Sequence, residues 1–155
     1  MIAARLMITA VLLAAAPAAT EEPCRIIVNP ANPAEKIQRS AIVAIYFGQM
    51  TRWSDGKLIA PVDQSVKSPV RVAFSEKILG KSVEEVEHHW LRKVAAEHVF
   101  PPRVKSSDVA VAAFVHANPG AIGYVANEFP VDQAVKVLKI VEGATEGHQA
   151  PGPGR

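Results

Sequence analysis

Residues 118–125, Asn-Pro-Gly-Ala-Ile-Gly-Tyr-Val, constrain the fold more than any other stretch of this chain. Asn118 is suited to the left-handed backbone conformation that often ends an α-helix, and Gly120 is suited to a tight turn. The proline between them is unable to continue a helix. Residues 121–125 are apolar on both faces, which is typical of a strand covered on two sides in an α/β protein. Gly123 within this strand predicts that another side chain or backbone packs closely against it. The alternative interpretation is an ordinary helix-to-strand connection.

The rest of the chain alternates predicted strands and helices, which indicates an α/β domain. Helix starts are marked by capping residues, of which Ser82 with Glu85 three positions later forms a capping box. Asn32 followed by proline gives a similar start signal. The predicted strands are residues 25–29, 58–62, 121–125 and 135–141, and the predicted helices begin at Asn32, Ser68, Ser82 and Ser107 or Asp108, with residues 63–67 as a polar loop.

Residues 1–18 have the pattern of a secretory signal peptide. Arg5 provides the positive charge, an apolar run follows, and Ala-Pro-Ala at positions 16–18 is a small-residue cleavage site. The apolar run is too short for a membrane-spanning helix, and the residues before Cys24 lack a lipid-attachment motif. We therefore expect an exported, periplasmic protein with one domain at residues 19–142 and no membrane insertion. The Gly- and Pro-containing residues 143–155 are expected to form a disordered tail.

The charge balance argues against nucleic acid as a partner. The formal net charge of +2 falls to +1 when the signal segment, with its single Arg5, is removed. Such a balance provides no electrostatic attraction for nucleic acid or for an anionic membrane surface. Cys24 is the only cysteine, so an internal disulfide is excluded, and we expect a buried thiol rather than one paired with another molecule.

The sequence contains no pattern that supports catalysis. It has no Gly-x-Ser-x-Gly elbow, no Walker loop and no Gly-x-Gly-x-x-Gly, so we expect neither an enzyme nor a cofactor. Glu84, Glu85, His88 and His89 include pairs four residues apart on one helix, a spacing that can bind a metal. No third ligand is evident, and a solvated helix face is the preferred interpretation, so no metal is predicted.

The loop at residues 63–71 is the one candidate site with a physical mechanism. Free backbone amides and the positive dipole end at a helix N-terminus favour an oxyanion, and nearby hydroxyls and basic side chains add to this. The alternative is that Ser68 only caps the helix while the basic side chains of the loop point into solvent. The candidate anion contacts are Ser65, Ser68, Val70 and Arg71.

Four stretches of the chain together resemble a known family. They are Phe-Gly-Gln-Met-Thr-Arg-Trp-Ser-Asp-Gly at 47–56, Ile-Ala-Pro-Val-Asp at 59–63, Ser-Pro-Val-Arg-Val-Ala-Phe at 68–74, and the run at 118–125. In this order they resemble the phosphate-binding periplasmic proteins of ABC transporters, and more closely the half-length, single-domain members described as phosphate ABC transporter substrate-binding-like. The resemblance covers roughly residues 26–141. It implies a single lobe of the type II periplasmic-binding-protein fold, with a mixed sheet flanked by helices.

The resemblance also shows where this chain departs from the family. Full-length members hold phosphate between two lobes, and in the matching region they use an Arg followed by Ser-Gly-Thr at a helix start. Here the Arg position falls near Gln64, and Ser68-Pro69-Val70 stands where Ser-Gly-Thr is expected. Only Ser68 carries over as a phosphate contact, since Pro69 removes an amide and Val70 a hydroxyl.

Two functional hypotheses follow. The first is a binding protein for phosphate or a similar small oxyanion, linked to phosphate uptake or sensing, which could form a homodimer that rebuilds a cleft. The second is a binding-fold module without a ligand that acts in periplasmic protein–protein interaction or as a sensor accessory. Its partner would be a membrane transporter, a channel or a sensor protein.

Overall fold

In the computed structural model, which describes residues 21–143, six strands form one mixed sheet with helices on both faces. The strands are β1 (Arg25–Val28), β2 (Lys36–Gln38), β3 (Ala60–Gln64), β4 (Arg103–Lys105), β5 (Ala121–Val125) and β6 (Lys136–Val141). The helices are α1 (Arg39–Tyr46), α2 (Pro69–Phe74), which continues into a π-helical turn (Ser75–Leu79), α3 (Val83–Glu97) and α4 (Asp108–Ala117). The strand order is β2-β6-β1-β5-β3-β4.

Strand β5 lies inside the sheet, as the sequence predicts. It pairs antiparallel with β1 and parallel with β3, and all five of its residues are buried. A Cβ at Gly123 would lie 2.7 Å from a methyl group of Val62 and 2.7 Å from a methyl group of Val111. The prediction of close packing at Gly123 is therefore confirmed.

The hydrophobic core has two layers, one on each face of the sheet. On one face α1 and α2 cover β1 and β5, and the ring of Phe74 stacks on that of Tyr124 with 3.9 Å between centroids. On the other face α4 packs Val111 and Val115 against β3 and β5. This two-sided burial accounts for the continuous apolar sequence of β5.

The turn before β5 differs from its predicted geometry. Asn118 is extended, with φ of −125°, and its side-chain amide donates to the Phe114 carbonyl at 2.7 Å. Gly120 does not have a positive φ. A Cβ there would lie 2.0 Å from the Leu58 carbonyl oxygen, so glycine is required by the close approach of a neighbouring backbone rather than by turn conformation.

The predicted helix start at Asn32 is wrong. The Asn32 side chain accepts from the amide of Ala34 at 2.9 Å, which closes a local turn and not a helix. The residues that follow form β2, whose Ile37 pairs with Ile140 of β6, and α1 begins only at Arg39. The Asn32 side chain thus bonds to a backbone amide within a loop. Residues 36–38 are extended because they pair with β6, which is distant in sequence.

Besides β2, strands β3 and β4 show the largest differences from the predicted strands. Strand β3 begins and ends two residues later than predicted, so Asp63 and Gln64 lie in the buried end of a strand and not in a polar loop. Strand β4, a short edge strand paired parallel to β3, was not predicted because Arg103–Lys105 is mostly exposed and lacks an apolar pattern.

The predicted helix caps at Ser68, Ser82 and Ser107 are confirmed. Each side chain accepts from the backbone amide three residues later, and Ser82 with Glu85 completes a capping box. The predicted signal peptide and, apart from Gly143, the predicted tail lie outside the described residues. Within residues 21–143, no helix combines the length and apolar character needed to cross a membrane.

Candidate functional site

The predicted anion loop is a tight turn between β3 and α2. The backbone amide of Ser68 donates to the Ser65 carbonyl at 2.8 Å, so these two serines are brought together as expected. Ser68 caps α2, since its hydroxyl oxygen accepts from the amide of Arg71 at 3.4 Å. The amide of Val70, at the second helical position, has no acceptor within the helix and is the free donor at this end.

Gln64 holds the hydroxyl of Ser68 in place from below the turn. The hydroxyl donates to the Gln64 side-chain oxygen at 2.9 Å. The side-chain amide nitrogen of Gln64 in turn donates to the Asp108 carboxylate at 2.7 Å and to the Tyr124 backbone carbonyl at 3.0 Å. The Ser68 hydroxyl therefore donates its hydrogen bond to Gln64 within the protein. The sequence analysis did not predict this hydrogen bond, because it placed Gln64 in a polar loop.

The side chain of Arg71 does not point into solvent. Its guanidinium is buried and forms an ion pair with the carboxylate of Asp63, which is also buried. Its Nε has no hydrogen-bond partner among residues 21–143. The positive charge that the sequence assigns to the anion site is thus compensated by a carboxylate at the end of β3.

Asp63 is the centre of a buried polar network. Its carboxylate accepts from the hydroxyl of Tyr124 and, at 2.8 Å, from the backbone amide of Gln64. Burial raises the pKa of the Asp63 carboxyl above its ordinary value, and the guanidinium of Arg71 opposes this rise without cancelling it. Burial also raises the pKa of the Tyr124 hydroxyl, and the negative charge of Asp63 adds to the effect. The network anchors the turn to the sheet in one arrangement.

A cavity of about 500 Å³ lies beside the turn, between α3 and the end of the sheet formed by β3 and β4. Asp63, Gln64 and Arg71 are among its lining residues. Ser65, Ser68 and Val70 are not, so the four predicted contact residues do not surround one pocket. Val94 of α3 also lines this cavity and is 37% exposed.

The remaining candidate residues take structural positions. His88 is exposed on α3, and Nε2 of His89 lies 3.1 Å from the Phe47 carbonyl oxygen. Within the described part of the chain, no cluster of three or more His, Cys, Asp or Glu side chains could hold a metal. Cys24 is buried in the core, as expected, and burial raises the pKa of its thiol to about 12.

The burial of Cys24 predicts an unreactive thiol. We expect no measurable modification by a water-soluble disulfide reagent in the native protein at neutral pH, and stoichiometric modification in denaturant, because only an exposed thiolate attacks such reagents. A colorimetric thiol assay with and without guanidinium chloride measures this. Rapid modification under native conditions would show that the first strand opens readily.

Comparisons with known proteins give both a family and a fold. A family model described as a PBP superfamily domain matches residues 21–151. A structure from Clostridium perfringens, described as a phosphate ABC transporter substrate-binding protein with bound phosphate, aligns with a TM-score of 0.62 and 24% identity. An ABC-type phosphate transport receptor from Vibrio cholerae aligns with a TM-score of 0.60 and 26% identity, and PstS from Borrelia burgdorferi with 0.60 and 15%. Comparison with curated proteins finds no match.

The alignments cover most of this chain but less than half of each solved structure. They span 76% of this chain in all three cases, and 44%, 46% and 47% of the three structures in the order given. The fold class expected from the resemblance, an α/β lobe with a mixed sheet flanked by helices, is confirmed. The resemblance to phosphate ABC transporter substrate-binding proteins is confirmed as well.

Proposed function

The chain belongs to the PBP superfamily domain family, and from this membership we propose that it is an exported solute-binding-type protein that binds phosphate or a similar small oxyanion. Its role would be in phosphate uptake or sensing in the periplasm. The supporting observation is the turn at the start of α2, where two serine hydroxyls and the free amide of Val70 lie within one short segment. The solved structures from Clostridium perfringens and Vibrio cholerae are described as phosphate-binding or phosphate-transport proteins, and not as enzymes.

The chemistry of the turn sets what kind of anion it would take. The donors are Ser65, the amide of Val70 and, if it exchanges its bond to Gln64, Ser68. Lys67 is exposed in the same turn and adds a positive charge. Arg71 adds less, because its guanidinium is paired with Asp63 and its backbone amide already donates to the Ser68 hydroxyl oxygen. A small oxyanion with several acceptor oxygens matches such a set of neutral donors at a helix start.

A second candidate function is favoured by the departures from the family pattern. Pro69 provides no backbone N–H, Val70 provides no hydroxyl, and the Ser68 hydroxyl already donates its hydrogen bond to the Gln64 side chain. The chain also spans less than half the length of each of the compared structures. Under this alternative, the domain is a ligand-free module that contacts a membrane transporter, a channel or a sensor protein.

The test is the effect of phosphate on thermal stability in matched cap variants. Phosphate at about 100 times its Kd is expected to raise the parent Tm by about 5–10 °C. Ser68→Ala removes one anion contact together with a helix cap worth about 1 kcal/mol, so it should lower the Tm and lose most of the phosphate response. Differential scanning calorimetry measures both effects.

Ser82→Ala is the matched control, since Ser82 caps α3 in the same way outside the turn. It should lose a similar amount of stability and retain the full phosphate response. An equal phosphate response in Ser68→Ala and the parent protein would count against the turn as the binding site.

A further inference from the structure

The cavity beside α3 has the size of a small-molecule site. Its volume of about 500 Å³ lies within the range of roughly 300–1,000 Å³ found for ligand pockets. It opens between α3 and the edge strand β4, and its lining includes Val66 of the turn but not Ser65, Ser68 or Val70. The oxyanion site proposed above leaves this space unused.

Apolar side chains from α3, from β4 and from the loops that precede α2 and β4 form the walls of the cavity. Two of them are unusually exposed for aliphatic residues, with Leu91 at 68% and Val104 at 62%. Covering such surface removes apolar area from water, which favours binding by roughly 25 cal/mol per Å². The apolar wall residues include Val66, Trp90, Leu91, Val94, Pro102 and Val104.

Trp90 gives the wall a fixed aromatic surface. Its indole nitrogen donates to the Tyr46 carbonyl at 3.1 Å, and this bond holds the ring against α1. A side chain held in this way is already in place before a ligand arrives, so less conformational entropy is lost on binding.

The charged groups of the cavity disfavour an anion. At the floor, the positive charge of Arg71 is compensated by Asp63. Glu87 on α3 adds a further carboxylate, exposed at the wall, so the three charged lining residues sum to one negative charge. An oxyanion would meet net repulsion here, whereas an uncharged molecule would not.

We propose that this cavity binds an uncharged, largely apolar small molecule with a hydrogen-bonding group, at a site distinct from the oxyanion turn. The apolar body lies against Trp90, Leu91 and Val104, and the polar group lies toward the Asp63–Arg71 floor, where it can accept from the guanidinium. This activity goes beyond the proposed oxyanion binding and does not depend on it.

The test uses the indole signals of the two tryptophans in a proton–nitrogen correlation NMR spectrum of the full chain, assigned with Trp90→Phe. Titration with 1-octanol should shift the Trp90 indole signal in a saturable manner and leave that of Trp53 in place, because Trp53 lies outside the cavity and donates to Gly120. Octanoate, with the same chain and a carboxylate, should bind at least tenfold more weakly.

A pair of surface variants tests the location. Leu91→Glu places a charge on the cavity wall at an exposed position and should weaken 1-octanol binding at least tenfold. Val109→Glu is the control, since Val109 is 67% exposed on α4 and does not line the cavity. It should bind 1-octanol as the parent does.

Three results would overturn the proposal. They are an unshifted Trp90 signal up to the solubility limit of 1-octanol, binding of octanoate as tight as that of 1-octanol, and unchanged binding in Leu91→Glu. If the unshifted signal is accompanied by the mass of a dimer in light scattering, the apolar wall is covered by a second copy of the chain. Phosphate binding is read separately, from the backbone amides of the serine turn, so failure of one proposal leaves the other measurable.

Discussion

Replacing Arg71 with alanine is expected to lower the free energy of unfolding by about 3–5 kcal/mol, because the substitution leaves the Asp63 carboxylate buried without its partner. For a chain of this length, that loss corresponds to a decrease in Tm of about 10 °C. Urea denaturation followed by circular dichroism measures the change. Arg103→Ala is the control, because Arg103 is exposed on β4 and its loss should change stability by no more than about 0.5 kcal/mol.

The pH dependence of this effect has a defined sign. Burial already raises the pKa of Asp63, and loss of Arg71 removes the charge that opposes the rise. In Arg71→Ala the ionised carboxylate is therefore the destabilising form. Above the carboxyl's unfolded-state pKa, the unfolded chain releases the carboxyl proton more readily than the folded protein does. The free energy of unfolding of the variant therefore falls further as the pH rises. The difference between variant and parent should be largest at mildly alkaline pH and should shrink on acidification.

Removing both members of the ion pair separates the charge effect from packing. The double variant Asp63→Asn with Arg71→Met keeps similar volumes without a buried charge, so it should be more stable than Arg71→Ala. If Arg71→Ala unfolds at the same urea concentration as Arg103→Ala, the buried pair does not exist in solution.

Replacing Gly123 with valine is expected to destabilise the domain by about 3 kcal/mol through overpacking. The first added atom would lie 2.7 Å from methyl groups of both Val62 and Val111, one on the adjacent strand and the other on α4. Neither can move away freely, since both are fully buried. The displacement should therefore shift β3 or α4 relative to β5.

Gly143→Ala provides the matched control for this substitution. A Cβ at Gly143 meets only a side-chain oxygen of Gln38 at 3.6 Å, an ordinary contact distance. Its urea midpoint should match that of the parent, whereas the Gly123→Val midpoint should be clearly lower. An unchanged midpoint for Gly123→Val would mean that β5 does not pack between β3 and α4 as described.

The sequence predicted those parts of the fold in which local chemistry and tertiary packing agree. Residues 121–125 form a buried strand because their apolar side chains fit both faces of the sheet, and Ser82 begins a helix because its cap is satisfied within four residues. Strand β2 was missed because its pairing partner Ile140 lies about 100 residues away, and a local pattern carries no information on that contact. Asn32 has a sequence pattern similar to that of a helix cap, but its side chain closes a turn within a loop instead.

The candidate site was predictable only in part for the same reason. The proximity of Ser65 and Ser68 follows from a short turn before a capped helix and was correctly expected. The pairing of Arg71 with Asp63 joins a helix to the end of a strand, and the amide of Gln64 reaches Asp108 on another helix. Both contacts depend on the position at which strand β3 ends. The sequence analysis placed that end too early, because the last two residues of the strand are polar.

The most direct test of oxyanion binding is a calorimetric titration of the chain beginning at Ala19 with phosphate at low ionic strength. Sulfate serves as the matched anion, and light scattering reports whether the protein is a monomer or a homodimer. Micromolar binding of phosphate, with no heat from sulfate, is the predicted result. No heat from either anion, with the protein shown to be folded, would contradict the oxyanion site and favour the ligand-free interaction module.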